Sequence, residues 1–323
     1  MQGRSASSPF REKTLNPREG VVLYTALPPP RGRPRGDLKI SVESVLRLLE
    51  EAPVDAVHIP EVREEADRPG GRPIPFTPKV EPRVFGRLLQ QSACGRFEVV
   101  ISRRVVYTHW ANQRRWLLRT RREYGIRNLL LVGGESSRTR YPGPPVVQAA
   151  ERIRRELPAE GADYFLGGIA IPTRPGEADR LVAKAQSGIE FFTSQILYEA
   201  EGIKELLRAY DRRCRELGTK PRRVFLSFAP ISGERDLEFL RWMGVHIPPR
   251  VEREILRGWL GTAWRSVVVC ARILRDVLTF HREEELDVPL GINVEHALRH
   301  NFEISRDLAL ALWEVHRSYR AAG

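Results

Sequence analysis

The apolar and polar positions of this chain switch, almost without a break, between two spacings. Short apolar runs of β type fall at 21–27, 56–59, 97–106, 128–132, 164–171, 191–197, 223–228 and 289–294. Between them the apolar positions recur at the spacing of an amphipathic helix, over 41–51, 83–91, 113–124, 146–157, 177–186, 203–217, 234–242 with 251–256, and 264–280 before the last strand. A final helical pattern covers 305–319. Eight β runs, each followed by a helix, predict an α/β fold: a single (β/α)8 TIM barrel with an extra C-terminal helix, spanning 20–323. Residues 1–19 show neither spacing and are predicted to be a disordered tail. Glycines 125, 188, 218 and 244 follow helical runs where a left-handed cap is wanted, and Pro144-Pro145 and Pro248-Pro249 stand at helix starts. The connection 63–82, dense in Pro, Gly and charge, is long for a barrel and predicted to overhang its mouth.

Composition narrows the picture. The chain of 323 residues is long enough for one large core, and its longest apolar runs are far too short to span a bilayer. The first eight residues lack the apolar stretch of a secretory signal. Three widely spaced cysteines, Cys94, Cys214 and Cys270, match no zinc pattern and predict thiols in a reducing cytoplasm. The net charge of +12 invites a nucleic-acid reading. The arginines, however, are interleaved with glutamates along nearly every helix, as in Arg119–Glu123 and Arg212–Glu216, which predicts solvated, ion-paired faces rather than one basic stripe. The surviving consequence of the charge is attraction of small anions.

In a barrel of this kind the residues after each strand meet at one face. Thr25 ends the first strand and Glu61 follows the second, the one carboxylate there, either partly buried with a raised pKa and able to donate a proton or a satisfied surface glutamate. Gly133-Gly134-Glu135 follow the fourth strand; two glycines allow a flat ligand to approach the backbone, or make a plain turn with Glu135 near a helix start. Ile171 ends the fifth strand, and Glu177 and Lys184 share one face of the next helix, either reaching a ligand or standing as solvated surface. Gln195 offers a donor and an acceptor suited to an amide-rich heterocycle, or to backbone. Ser232, Asn293, Glu295 and His296 complete the mouth. His296 and His300 have the spacing of a helical metal pair, but no third ligand lies near them, so no metal is expected. No phosphate-binding glycine loop or nucleophile elbow is present.

These pieces, in this order, resemble the methylenetetrahydrofolate reductase family, most firmly from Leu129 to Leu256. The matching segments are Gly133-Gly-Glu135 for the family's Arg-Gly-Asp, Gly167–Ala178, Lys184, Ser187-Gly188, Phe192-Thr-Ser-Gln195 and Ala229-Pro-Ile-Ser232 through Gly244-Val-His-Ile-Pro-Pro249. The resemblance implies a TIM-barrel flavoprotein of one-carbon metabolism and methionine biosynthesis that passes hydride from NAD(P)H through FAD to methylenetetrahydrofolate. It implies Gly133, Gly134, Glu135, Ile171, Glu177, Arg180 and Lys184 around the flavin, and Thr25, Gln195, Ser232 and Asn293 around a folate-like substrate. The departures are as informative. The family's Glu-x-x-Pro-Pro is Thr25-Ala-Leu-Pro-Pro29 here, and a threonine cannot act as a general acid near neutral pH. Glu61 or Glu135 is then the expected catalytic replacement, and hydride could pass directly from NAD(P)H without flavin. The alternative is a catalytically inactive folate- or flavin-binding barrel serving as a regulatory or partner subunit or a homo-oligomer. Neither reading involves a membrane, and a nucleic-acid partner would rest on charge alone.

Overall fold

The computed structural model describes residues 8–32, 35–65, 70–134, 139–258 and 261–321. Eight parallel strands close into a barrel in chain order: β1 (Val22–Thr25), β2 (Ala56–Ile59), β3 (Glu98–Arg104), β4 (Asn128–Val132), β5 (Phe165–Ala170), β6 (Phe191–Ile196), β7 (Arg223–Phe228) and β8 (Leu290–Glu295). β8 pairs with β1 to seal it. Helices cover the outside: α2 (Arg35–Leu48), α3 (Pro82–Ser92), α4 (Trp110–Tyr124), α5 (Val146–Glu156), α6 (Glu177–Gln186), α7 (Glu201–Glu216), α8 (Glu234–Trp242), α9 (Pro249–Leu256) and α10 (Thr262–Glu283), with α11 (Phe302–Ala321) after the last strand. The predicted (β/α)8 barrel with its extra C-terminal helix is therefore the fold observed.

Side chains alternate across each strand, and that alternation builds two cores. Outward residues such as Val57, Ile101, Leu129 and Leu226 pack under the helices. Inward residues Leu23, Ala56, Val100, Leu130, Phe165, Phe191 and Phe225 fill the barrel. Gly167 on β5 is small for a physical reason: a Cβ there would run into the Phe191 ring and Leu130.

The tail prediction needs correction. Pro9–Leu15 is a helix, α1, capped by the Ser8 hydroxyl on the Arg11 N–H at 3.3 Å. Its Phe10 is 1% exposed and closes the barrel floor, with its ring centroid 5.7 Å from that of Phe165 and 5.8 Å from that of Phe191. Glu98 accepts from the Ser8 hydroxyl and the Phe10 N–H, and buried Arg223 donates to the carbonyls of Thr14 and Asn16. Apolar burial and charge-assisted hydrogen bonds thus order a segment too short to show a helical period.

At the opposite end, the 63–82 connection touches two sides of the mouth. Glu65 meets Arg104 at the end of β3 at 2.5 Å. Arg72 lies over the Trp242 ring of α8, 4.8 Å from its centroid. The predicted overhang is present in the described part of this segment.

Candidate site at the barrel mouth

The inward positions at the carboxyl ends of five adjacent strands are polar and buried: Ser102 on β3, His58 on β2, Thr25 on β1, Asn293 on β8 and Ser227 on β7. They form one chain of hydrogen bonds. Ser102 Oγ lies 2.7 Å from His58 Nε2, and His58 Nδ1 lies 3.0 Å from Thr25 Oγ1. Thr25 donates to Asn293 Oδ1 at 3.2 Å, and Asn293 Nδ2 donates to Ser227 Oγ at 2.9 Å and Glu295 Oε1 at 2.7 Å. Because the Thr25 proton goes to the amide oxygen, its lone pair receives from His58 Nδ1–H. His58 Nε2 is then the acceptor for the Ser102 hydroxyl, so the donor inventory fixes the tautomer. Burial pushes the His58 imidazole down to a pKa of about 4, so the ring is neutral at physiological pH.

Glu295 is the one acid in this network. It pairs in register with Thr25 on the neighbouring strand, two residues beyond inward-facing Asn293. Protein encloses its carboxyl on the barrel side, while the residue remains half-buried and reachable from the mouth. Desolvation raises its pKa above the ordinary carboxylate range, against the opposing pull of the neighbouring Thr25 hydroxyl and Asn293 amide. A neutral amide and a hydroxyl adjoin it, and no cation pairs with it among the described residues. Sequence reasoning placed Glu295 at the mouth but did not single it out. The signal was available in the inward period-two series Gly291, Asn293, Glu295.

The other sequence candidates divide. Thr25 and Asn293 lie in the network. Gln195 sits on the opposite rim, half-buried, its amide donating to the Gly244 carbonyl at 2.9 Å. It follows a break in the β6–β7 register, where the Ser194 hydroxyl accepts the Ser227 N–H at 2.9 Å. Glu61 follows the second of its two readings, a satisfied glutamate: it accepts from the Arg104 N–H at 2.8 Å and the Arg103 guanidinium at 3.3 Å, which ties it to the end of β3. Glu135 lies outside the described residues. Ser232 is drawn away from the network, bonding Asn301 through its hydroxyl and Asp236 through its N–H. His300 binds Asp236 at 2.8 Å, apart from His296, and no cluster of potential metal ligands occurs among the described residues.

The group assigned to a flavin by resemblance is otherwise engaged. Lys184 donates to Glu177 at 3.0 Å and to the Ile169 carbonyl at 2.6 Å, and Glu177 also accepts the Ile171 N–H at 3.3 Å. The carboxylate is nearly inaccessible, so this pair clamps α6 to the end of β5. Arg180 is exposed on the same helix. The flat group against Gly134 is the chain's own Tyr141 ring, which occupies the space a Cβ would take, while Gly133 faces only Val146. These residues do not fit a flavin as they stand.

No known protein-family model matches the chain, and no curated protein matches it in sequence. Solved structures are similar to it in fold. A Clostridium thermocellum protein that binds two copies of 5-methyl-5,6,7,8-tetrahydrofolic acid superposes with a TM-score of 0.75 at 20% identity, over 93% of this chain and 97% of that one. Oxaloacetate acetylhydrolase gives a TM-score of 0.50 at 11% identity over 95% and 87%. The lyase acting on 2,3-dimethylmalate, of the PEP mutase/isocitrate lyase superfamily, gives 0.45 at 13% over 95% and 96%. At these identities the likeness of the first two bears on the fold alone, and agrees with the closed eight-stranded barrel.

Proposed function

We propose that the barrel mouth binds a reduced folate or a similar amide-rich heterocycle, with Glu295 as the group that shares or donates a proton to it. The observation that carries this reading is the half-buried Glu295 carboxyl, its pKa raised by burial, which accepts from the Asn293 amide beside Thr25. A ring with amide and amino edges satisfies such a set, and Gln195 offers a further donor and acceptor across the mouth. The fold neighbour that binds 5-methyltetrahydrofolic acid lends independent support. Calorimetric titration with 5-methyltetrahydrofolate should give saturable binding that Glu295→Gln weakens by about tenfold, the loss of one hydrogen bond that the carboxyl shares with the ligand. Absence of binding to the folded protein would remove the reading.

A catalytic extension is favoured by the same carboxyl. The methylenetetrahydrofolate reductase resemblance implies that an acid protonates the folate as its ring opens and NAD(P)H supplies hydride. The Thr25–Glu295 pairing suggests that the missing strand-one carboxylate has a counterpart one strand over. In this reading hydride passes directly from NAD(P)H, which is supported by the engagement of Lys184 with Glu177 and by the Tyr141 ring lying against Gly134. A colourless preparation that oxidises NADPH with methylenetetrahydrofolate, and loses that rate in Glu295→Gln, is expected. Flavin absorbance in the purified protein would restore the flavoenzyme reading, and binding without turnover would leave a folate-binding barrel.

A further inference from the structure

We propose that a second small-molecule site lies outside the barrel, in the cleft between α2, the proline strap after β1 and the start of α11, and that it takes an aromatic carboxylate bearing an N–H or O–H donor. The cleft has a volume of ≈ 270 Å³. Its walls are apolar: Ile40 and Val45 from α2, Phe85 from α3 and Phe302 from α11. Ile40 is 60% exposed, an unusual position for a large aliphatic on a surface this charged. Pro28, Pro29 and Pro30 form the lip and are pinned away from α2, since the Val80 N–H donates to the Pro29 carbonyl at 2.9 Å and the Arg31 N–H to that of Pro78 at 2.7 Å.

At the base lies His296, 5% exposed, with its ring centroid 5.3 Å from that of Phe302. Its Nε2 faces the Arg299 carbonyl at 3.4 Å, while Nδ1 has no hydrogen-bond partner among the described residues. An Nε2–H directed at a carbonyl leaves Nδ1 as a lone pair without a donor, a buried polar atom that gains from any group able to donate to it. Burial keeps the ring neutral, with its pKa lowered to about 4, so Nδ1 remains an acceptor throughout the physiological range.

The rim supplies the complementary charge. Arg47 and Arg299 line the cleft and take part in no ion pair among the described residues, in a chain where arginines are extensively paired with carboxylates. Lys79 adds a third cation, and the one acid on the rim, Glu303, is opposed by Arg306 at 4.0 Å. An apolar slot with a buried acceptor at its base and guanidinium groups at its edge selects a flat anion that donates inward and turns its carboxylate outward. The volume suits one ring system and excludes a whole folate, so this ligand is distinct from the one proposed for the mouth.

The test is titration of the 15N-labelled full chain with 4-aminobenzoate, followed by calorimetry and by the ring-nitrogen resonances of His296. One equivalent should bind, the Nδ1 resonance should move, and cyclohexanecarboxylate, which has no donor, should bind less tightly. The exposed double variant Arg47→Ala/Arg299→Ala should lose affinity by about tenfold with its melting temperature unchanged, whereas Glu295→Gln should bind 4-aminobenzoate as the wild type does. No saturation at millimolar ligand, or equal binding by the arginine double variant, would overturn the proposal. Loss of binding in Glu295→Gln would place the probe in the mouth and overturn it equally.

Discussion

Glu295 is a carboxyl held where its charge is costly, and the direction of its pKa shift gives a sign that can be checked. A carboxyl whose folded pKa is raised contributes its full stability below the unfolded value, and that contribution is lost as pH rises through the folded value. Glu295→Gln retains a hydrogen-bonding amide and never has to bury a charge. The variant should therefore gain stability relative to wild type as pH rises from 5 to 8, measured by urea unfolding at fixed ionic strength. A stability difference independent of pH would mean that the carboxyl is ionised throughout, and would remove its role as proton donor. His58 is the second residue to examine. Its neutral ring connects Ser102 to Thr25, so His58→Phe fills the space while leaving two buried hydroxyls without their partner. A destabilisation of about 1–3 kcal/mol is expected from that loss.

At the scale of elements, the strands and barrel helices were legible because each is long enough to show its own spacing and all eight repeat one plan. α1 was not. A helix of seven residues displays no period, and the burial of Phe10 depends on Phe165, Phe191 and Phe225, which distant strands bring beneath it. Phe10→Ala should cost about 3–5 kcal/mol, the range for emptying a buried aromatic site, read as a lower urea midpoint. A cost under 1 kcal/mol would show the floor to be dispensable. The spacing of Glu177 and Lys184 correctly put them on one face of α6, but sequence could not reveal that each is the other's partner. Nor could position-by-position reading pair Thr25 of β1 with Glu295 of β8, since only closure of the barrel makes those strands neighbours. The overhanging 63–82 segment yields a functional expectation of its own. Arg72 anchors it on the stacked pair Phe239 and Trp242, so Arg72→Ala should loosen the cover and speed ligand release several-fold, with little change in global stability. Stopped-flow dissociation of 5-methyltetrahydrofolate at an unchanged rate would show that the strap does not gate the mouth.

For the whole molecule, the net charge of +12 says less than its distribution, because helix arginines are tied to carboxylates on the same or neighbouring helices. These exposed pairs contribute little individually and weaken with salt. Acid sensitivity should instead come from the interior. Burial lowers the pKa of His58, His296 and His316 to about 4 each. In the unfolded chain they titrate near the ordinary value of about 6.5, so between these limits the unfolded state binds more protons. Their stabilisation is fully present above about pH 6.5 and is lost as pH falls toward 4, with an upper bound of about 3 kcal/mol per histidine. Against a total stability of about 5–15 kcal/mol, three such groups are enough to decide whether the barrel survives mild acid. The unfolding free energy should therefore fall from pH 7 to 4.5, and a folded variant lacking one of these imidazoles, His316→Gln, should show a shallower slope. A flat profile over that range would mean that the three rings are solvated or charged in the native barrel, and would also undermine the neutral-imidazole arguments made for both sites.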